Sequence, residues 1–308
     1  RHHSTAPHQT NFMKRRLLTI VLLLLTMPIV ARNDLRQEIR NIVRDKKATV
    51  GVAVQTSDGR CFTLHNSRCY PLMSVFKFHV AVAVLQRMER ESISPNSLIT
   101  LDASWLPYGT YSPLRDRNPS RNVRLSLAEL IRYTVSLSDN CTCDRLIAFA
   151  GGIEAVDRCA RKLRIGRFRL SETEATMHED IQRSYNNRST PRSIVRMLRK
   201  VYDGDGLSTE SFALLEQVML ATSTGSEKLK AGLPESIRLG HKTGHSDRTV
   251  RGILIGDNDA GVVYLPDGRR YYITVFIRDS KESDETNASV IAAISKAVYD
   301  WVCITPAP

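Results

Sequence analysis

The spacing of apolar residues changes along the chain and divides it into three parts. Apolar positions recur every three or four residues over 35–46, which predicts an amphipathic helix. Alternating positions then predict two strands, 48–55 and 60–65, joined by a turn at Asp58-Gly59. The middle part has four helical periods, at 76–88, 126–135, 144–149 and 191–201. The last third returns to strands, at 252–255, 261–265 and 271–277, and closes on a helix at 289–302.

This order of elements predicts a fold. Helix, strands, a long helical stretch, more strands and a final helix imply an α/β architecture with a sheet built from both ends of the chain. Helices pack on that sheet, and the helical stretch forms an insertion. No internal repeat or low-complexity linker interrupts the 308 residues.

The N-terminal segment has the pattern of an export signal. Met13 begins a stretch with three basic residues, followed by the apolar run 17–30 and then Ala31. That run would form about 21 Å of helix, against about 30 Å of bilayer hydrocarbon, so a permanent membrane span is disfavoured. We therefore expect a signal peptide at 13–31, cleaved near Ala31, preceded by an extension at 1–12, and a periplasmic or secreted protein.

Composition and charge narrow the class. Hydrophobic residues make up 42% of the chain and charged residues 25%, as in ordinary globular proteins. The formal net charge of +12 falls to +8 when residues 1–31 are removed. The basic residues are dispersed along the sequence and are not interleaved with aromatic residues, which favours a solvated surface over a nucleic-acid site.

All six cysteines follow the predicted signal, in a compartment that permits disulfides. Cys61 and Cys69 flank a short polar turn, but fifteen pairings are possible and the pairing stays open. Cys141 and Cys143 have no second close pair or histidine cluster to complete a zinc site. We expect no metal and no cofactor.

The segment Ser74-Val75-Phe76-Lys77 opens the first helix of the middle part. Positions i and i+3 share a helix face, so the Lys77 amine is expected to reach the Ser74 hydroxyl. Free backbone N–H groups at a helix start favour a developing negative charge. The pattern S-x-x-K alone is common by chance and carries little weight.

Two further motifs follow in order. Ser138-Asp139-Asn140 comes 64 residues after Ser74, and Lys242-Thr243-Gly244 stands at the start of the strand-rich third. S-x-x-K with S-D-N and K-T-G is the set found in class A β-lactamases and penicillin-binding proteins. Over nearly the whole exported part, the chain resembles a class A serine β-lactamase.

The resemblance implies a catalytic set. Ser74 attacks the lactam carbonyl, and the backbone N–H groups of Ser74 and His245 hold the oxyanion. Lys77 and Glu174, the latter through a water, are alternative bases for acylation. Ser138 passes a proton to the lactam nitrogen, and Glu174 activates the water that frees the acyl-enzyme.

The resemblance also implies residues that bind substrate. Asn140 positions the side-chain amide, while Lys242, Thr243 and Arg251 receive the substrate carboxylate and Gly244 allows its close approach. Tyr111 lines the entrance, and His178 helps hold the water. Asp139 is interpreted as a structural brace of the Ser138 loop.

The loop that carries Glu174 departs from the common family pattern. Ala175 replaces a proline and His178 an asparagine, while Glu172 and Asn187 replace the arginine and aspartate of an ion pair. We therefore expect the loop to sit differently or move more, unless other contacts hold it. These substitutions resemble a cephalosporin-hydrolysing branch of the family found in Bacteroidetes.

The resemblance implies an antiparallel sheet flanked by helices, with an all-helical domain inserted. The expected α/β domain comprises 32–64 and 230–308, and the helical domain 65–229 with an omega loop at about 169–187. The expected function is hydrolysis of cephalosporins and penicillins by a monomer, conferring resistance. The alternatives are a D-alanyl-D-alanine carboxypeptidase and a penicillin sensor that is acylated without hydrolysis.

Overall fold

The main sheet of the computed structural model, which describes residues 35–304, draws its strands from both ends of the chain. Its five strands are β1 (Thr49–Thr56), β2 (Cys61–Leu64), β8 (Arg238–His245), β9 (Leu254–Tyr264) and β10 (Arg270–Ser280). Their order is β2-β1-β10-β9-β8, and every neighbouring pair is antiparallel. Thr49 of β1 pairs with Arg278 of β10, 229 residues later in the sequence, so the two ends of the chain share one sheet.

Both faces of this sheet are covered, because alternate residues of β10 enter two different cores. Tyr271 and Ile273 pack with helix α1 (residues 35–43) and helix α10 (Asp284–Ile304). Tyr272 and Phe276 face the other way and pack into a second core with the helices of the middle region. A strand buried on both faces shows a continuous apolar run in place of alternation, as 271–277 does.

The middle of the chain forms a helical layer with two small sheets. Its helices are α2 (Lys77–Arg90), α3 (Pro113–Arg117), α4 (Leu127–Ser136), α5 (Asn140–Ala150), α6 (Ile153–Lys162), α7 (Glu174–Glu179), α8 (Pro191–Tyr202) and α9 (Thr209–Leu220). Three 3₁₀ segments occupy Met73–Phe76, Ile181–Tyr185 and Leu229–Gly232. β3 (Tyr70–Pro71), β7 (Arg188–Ser189) and β6 (Phe168–Arg169) form one small sheet, and β4 (Leu98–Leu101) pairs with β5 (Val123–Ser126).

The predicted fold class is confirmed, but the prediction of two strands at 252–255 and 261–265 is wrong. β9 is a single strand, and three buried polar residues lie at its centre, between the two predicted strands. Each has a partner: Asp257 pairs with Lys228, Asp259 with His241, and Asn258 donates to the carbonyls of 71 and 72. Paired polar groups can be buried in a strand, so their polarity did not end it.

Several other features bear on the predictions. All six cysteines are free. The predicted extension 1–12 and signal 13–31 lie outside the described residues. None of the helices within 35–304 combines the length and apolarity that a membrane span requires. The domain boundaries at 64/65 and 229/230 stay a prediction.

Candidate active site

Ser74 lies where the 3₁₀ segment Met73–Phe76 leads into α2, at the seam between the sheet and the helical layer. Met73 just before it has a positive φ of 47°, which is uncommon for a residue with a side chain. Asn258 of β9 donates to the carbonyls of Pro71 (2.7 Å) and Leu72 (3.1 Å). A buried amide of the sheet thus fixes the turn that presents the serine.

Gly244, near the end of β8, allows this strand to approach the turn that carries Ser74 closely. A Cβ there would lie 2.8 Å from the Leu72 carbonyl oxygen and 3.0 Å from the Ser74 backbone nitrogen. Only a residue without a side chain lets β8 come that near to the turn. The strand carrying the K-T-G motif is therefore in van der Waals contact with the serine backbone.

Lys77 is fully buried at the first turn of α2, and its ammonium has three partners. It donates to the Ser138 carbonyl (2.7 Å) and to Asn140 Oδ1 (2.5 Å), and it pairs with Glu174 Oε1 at 3.0 Å. Burial alone lowers the pKa of Lys77, but the adjacent Glu174 carboxylate outweighs it and raises that pKa above its ordinary value.

The expected contact between Lys77 and Ser74 is not among these three partners. Within the described part of the chain, the Ser74 hydroxyl donates to Glu174 Oε1 at 3.4 Å. One carboxylate oxygen therefore faces both the serine hydroxyl and the lysine ammonium. The i, i+3 spacing places the Ser74 and Lys77 side chains on one helix face. It contains no information about Glu174, which forms an ion pair with Lys77 in place of the expected contact.

Ser138 closes the site from the side opposite α2. It has a positive φ of 58°, and its hydroxyl accepts from Lys242 Nζ at 2.9 Å. The next residue, Asp139, is fully buried and accepts from Thr142 N, Ser112 Oγ and Leu114 N at 2.8–2.9 Å. Asp139 is thus a structural brace that holds the unusual backbone at Ser138.

Lys242 is the second buried cation of the site. It is 1% exposed, and its ammonium donates to Ser138 Oγ and to the Thr243 carbonyl, both at 2.9 Å. Burial lowers its pKa well below the ordinary value, and the nearby Lys77 charge lowers it further. An anion entering beside Lys242 would therefore meet a cation that lacks a carboxylate partner within 4 Å in the described chain.

A network of four charged or titratable side chains lines one part of the cavity in front of Ser74. Lys228, 6% exposed, pairs with Asp257 Oδ1 at 2.5 Å, and the same oxygen lies 3.3 Å from His245 Nδ1. His245 Nε2 lies 3.7 Å from Asp284 Oδ2. Burial raises the pKa of Asp257, but His245 and Lys228 together hold it below its ordinary value. Thr243 Oγ1, nearby, shares a hydrogen bond of 2.6 Å with Thr224 Oγ1.

The Glu174 loop lacks the usual ion pair but is held by other contacts. Asn187 is fully buried; its Oδ1 accepts from the Ser171 and Glu172 backbone nitrogens, and its Nδ2 donates to the Glu172 carbonyl. The Glu172 carboxylate pairs with Arg183 at 2.9 Å and accepts from Thr176 and Asn186 at 2.8 Å. The family's proline and ion pair are absent, and of the alternatives left open above, a loop held by other contacts is the one found.

Asp144 of α5 anchors the reactive part of the loop. Its two carboxylate oxygens accept from the backbone nitrogens of Glu174 and Ala175, each at 2.8 Å. No cis peptide bond occurs within residues 35–304, so the bond before Ala175 is trans. Burial and the Glu174 charge raise the pKa of Asp144 to about 6, against the opposing effect of the two N–H groups.

An open cavity of about 970 Å³ lies in front of Ser74. Most of the residues predicted to act on or bind substrate line it: Ser74, Tyr111, Ser138, Asn140, Glu174, His178, Thr243, Gly244 and His245. Lys77 and Lys242 lie directly behind this lining, against Glu174 and Ser138. Tyr111 and His178 are exposed at the rim.

Arg251 is not part of this cavity. It is exposed in the turn between β8 and β9, where Gly252 N donates to the Thr249 carbonyl and Thr249 N to the Ile253 carbonyl. The resemblance assigned Arg251 to the carboxylate site by its distance of nine residues from Lys242, but here that position lies in the turn before β9, which begins only at Leu254. The basic residue that does line the cavity beside Thr243 is Lys228.

Four residues of the site were not predicted from the sequence: Asp144, Arg183, Lys228 and Asp257. Asp144 lies four residues after Asn140, hence on the same helix face, and that spacing was the one available signal. The other three meet their partners across distant elements, and nothing in their local sequence indicates those contacts.

A serine at a helix start, a lysine one turn later, and Ser138 and Lys242 facing them define the class of β-lactamases and penicillin-binding proteins. Comparison with known proteins narrows this class. Residues 34–302 match the model of the β-lactamase enzyme family. A β-lactamase of Bacteroides uniformis is 45% identical over 94% of this chain and 99% of its own length. The extended-spectrum β-lactamase PER-1 of Pseudomonas aeruginosa is 34% identical over 87% of each chain.

Solved structures agree with this result. The structure of a class A β-lactamase from Bacteroides cellulosilyticus is similar with a TM-score of 0.87 and 45% identity, covering 89% of this chain and 99% of the other. The extended-spectrum β-lactamase TLA-1 follows with a TM-score of 0.86, 38% identity and coverage of 88% and 99%. The chain belongs to the class A serine β-lactamase family.

The Asp144 anchor gives a pH prediction. Its folded-state pKa of about 6 lies above the ordinary 3.8, so the folded protein binds this proton more tightly between those values. The contribution of Asp144 to the free energy of unfolding is therefore full below pH 3.8 and lost as pH rises through 6. Asp144→Asn cannot titrate, so its melting temperature should improve relative to wild type from about pH 4 to about pH 7. Calorimetry at the two pH values measures this; an unchanged difference contradicts it.

Proposed function

We propose that this protein hydrolyses the β-lactam ring of antibiotics through an acyl-enzyme on Ser74 and so confers resistance. The observation that carries the proposal is the position of Glu174, 3.4 Å from the Ser74 hydroxyl and 3.0 Å from Lys77. Ser74 Oγ loses its proton through a water to Glu174 and bonds to the lactam carbonyl carbon, and the C–N bond breaks. That proton is relayed to the lactam nitrogen with Ser138 as the last donor, which leaves Ser138 protonated and Glu174 ionised again. A water activated by Glu174 then cleaves the ester.

Of the two candidate bases for acylation, we favour Glu174 acting through a water. Lys77 has a raised pKa and three hydrogen-bond acceptors, all of which stabilise its protonated form. A protonated ammonium has no lone pair with which to accept the serine proton. Lys77 then serves to hold Glu174 and to stabilise negative charge near Ser74.

The two alternative functions do not account for the anchored position of Glu174. A D-alanyl-D-alanine carboxypeptidase or a penicillin sensor shares the three motifs, but neither needs a carboxylate held beside the nucleophile by two backbone N–H anchors. The matched relatives are named β-lactamases. We propose further that the protein is exported to the periplasm with cleavage near Ala31 and acts as a monomer.

Two substitutions test the mechanism. Ser74→Ala should abolish both turnover of a chromogenic cephalosporin and covalent labelling by penicillin. Glu174→Ala should still be acylated but should accumulate the acyl-enzyme, giving a burst without steady turnover. Mass spectrometry of both variants after mixing with benzylpenicillin distinguishes the steps. A stoichiometric adduct on Ser74→Ala, or wild-type turnover by Glu174→Ala, contradicts the assignment.

We propose that Lys228 takes the place expected for Arg251 in attracting the substrate carboxylate, together with Lys242 and Thr243. Lys228→Met should lower kcat/KM at least tenfold, since a hydrogen bond to a charged group contributes about 1.5–3 kcal/mol. Lys228→Arg should restore most of the activity. Arg251→Gln is the matched control and should change kcat/KM less than about twofold. A larger loss in Arg251→Gln than in Lys228→Met would return the role to Arg251.

The preferred substrates are proposed to be cephalosporins, including those with oxyimino side chains. The open 970 Å³ cavity supports this, as do the relatives PER-1 and TLA-1, which are named extended-spectrum β-lactamases. The loop borders this cavity through Glu174, Met177 and His178, and we propose that its anchored arrangement leaves room for the acyl side chain. We expect kcat/KM for an oxyimino-cephalosporin to exceed that for benzylpenicillin. Steady-state constants favouring benzylpenicillin tenfold, about 1.4 kcal/mol of discrimination, would falsify the proposal.

A further inference from the structure

Seven exposed arginines gather around the small sheet β3-β7-β6 and the start of α8. We call this set the arginine surface: Arg68, Arg164, Arg167, Arg169, Arg188, Arg192 and Arg196. We propose that the arginine surface docks the protein onto a membrane surface rich in anionic phospholipid. This inference goes beyond the catalytic function and does not depend on it.

The central members are neighbours across two strands. Arg169 of β6 lies directly opposite Arg188 of β7, and both are exposed. The Arg167 carbonyl accepts from Thr190 N, and the Arg167 guanidinium donates to the Ser67 carbonyl at 2.7 Å. Arg68 follows Ser67 directly. Four exposed arginines from three separate segments thus lie at or beside the small sheet.

The start of α8 extends the same surface. Arg192 and Arg196 are both exposed and lie four residues apart, on one helix face. The Arg192 backbone nitrogen donates to Asn66 Oδ1 at 2.8 Å, which ties this face to the segment carrying Arg68. A Cβ on Gly166 would lie 3.5 Å from Arg196 Nη1, so the segment 164–167 borders it as well. Residues dispersed along the sequence are therefore contiguous in space.

No carboxylate neutralises this charge. Within residues 35–304, none of the seven arginines lies within 4 Å of an acidic group, whereas Arg90, Arg161 and Arg199 each do. Like charges directly opposite on two strands, or four apart on a helix, destabilise the folded chain. The surface contains both arrangements. An external anion would remove both repulsions.

The shape and chemistry of the surface favour phospholipid headgroups. None of the seven residues lines the catalytic cavity or the smaller cavity beside it. The exposed large aromatic side chains, Tyr108 and Tyr111, lie beside the catalytic cleft and cannot stack bases here. Guanidinium groups bind phosphate oxygens bidentately, and clustered basic residues attract anionic membranes.

Vesicle cosedimentation tests the proposal with the whole protein. Wild type should bind phosphatidylcholine vesicles containing phosphatidylglycerol, should release them at high salt, and should not bind pure phosphatidylcholine. Arg169→Gln/Arg188→Gln/Arg192→Gln should weaken binding about tenfold or more. The matched control, Arg90→Gln/Arg161→Gln/Arg199→Gln, removes the same charge from ion-paired sites and should weaken it less than about threefold.

Each contrary outcome overturns the proposal. Equal losses in both triple variants would make binding a property of net charge alone. Equal binding to neutral vesicles would exclude an electrostatic docking surface. If inorganic phosphate, at the same concentration as the lipid phosphate, displaces the protein from the vesicles, the surface is a site for the free anion. If duplex DNA binds the protein as tightly as the vesicles do, or more tightly, the surface binds polyanions in general. Both triple variants should hydrolyse a chromogenic cephalosporin like wild type, so failure of docking is distinguishable from failure of the catalytic proposal.

Discussion

The buried ion pair between Lys77 and Glu174 is the interaction on which the arrangement of the site depends. Lys77 is fully buried and Glu174 is 9% exposed, so neither charge is appreciably solvated. A buried charge that loses its partner destabilises a protein by about 3–5 kcal/mol. The loop that carries Glu174 must therefore hold the carboxylate within reach of the ammonium, and the rest of the loop is built accordingly.

That requirement explains why the loop is well anchored without the ion pair common in the family. Asp144 binds two consecutive backbone nitrogens at the helix start that presents Glu174. Asn187 uses both ends of its amide on the backbone at 171 and 172. Glu172 stands where the family has the arginine of the ion pair. Its carboxylate instead accepts hydrogen bonds from Arg183 and from two neutral side chains. A neutral amide and a carboxylate from another helix thus supply the bonds that an ion pair provides elsewhere.

The sequence was informative wherever short-range chemistry decides the structure. The three motifs, the hairpin turns and the apolar periods are local, and they led to the confirmed fold class. The predictions failed where contacts between residues distant in sequence determine the structure. The two predicted strands were not joined across Asp257 and Asn258, whose partners, Lys228 and the carbonyls at 71 and 72, are distant in sequence. Arg251 was assigned to the carboxylate site by its distance along the chain from Lys242, and that distance alone does not determine where a residue of the exposed β8–β9 turn lies.

The same electrostatic logic connects the two buried lysines. Lys77 has a carboxylate partner and a raised pKa, whereas Lys242 has only a hydroxyl and a carbonyl as acceptors and a lowered one. Bringing a substrate carboxylate to Lys242 would give this second cation the partner that Glu174 gives the first. Protonation of Lys242 would then be favoured in the complex. Its ammonium would donate a hydrogen bond to the Ser138 hydroxyl oxygen, as it does here. The Ser138 proton would be left free to point at the lactam nitrogen, so that in the proposed mechanism carboxylate recognition also orients the proton donor for ring opening.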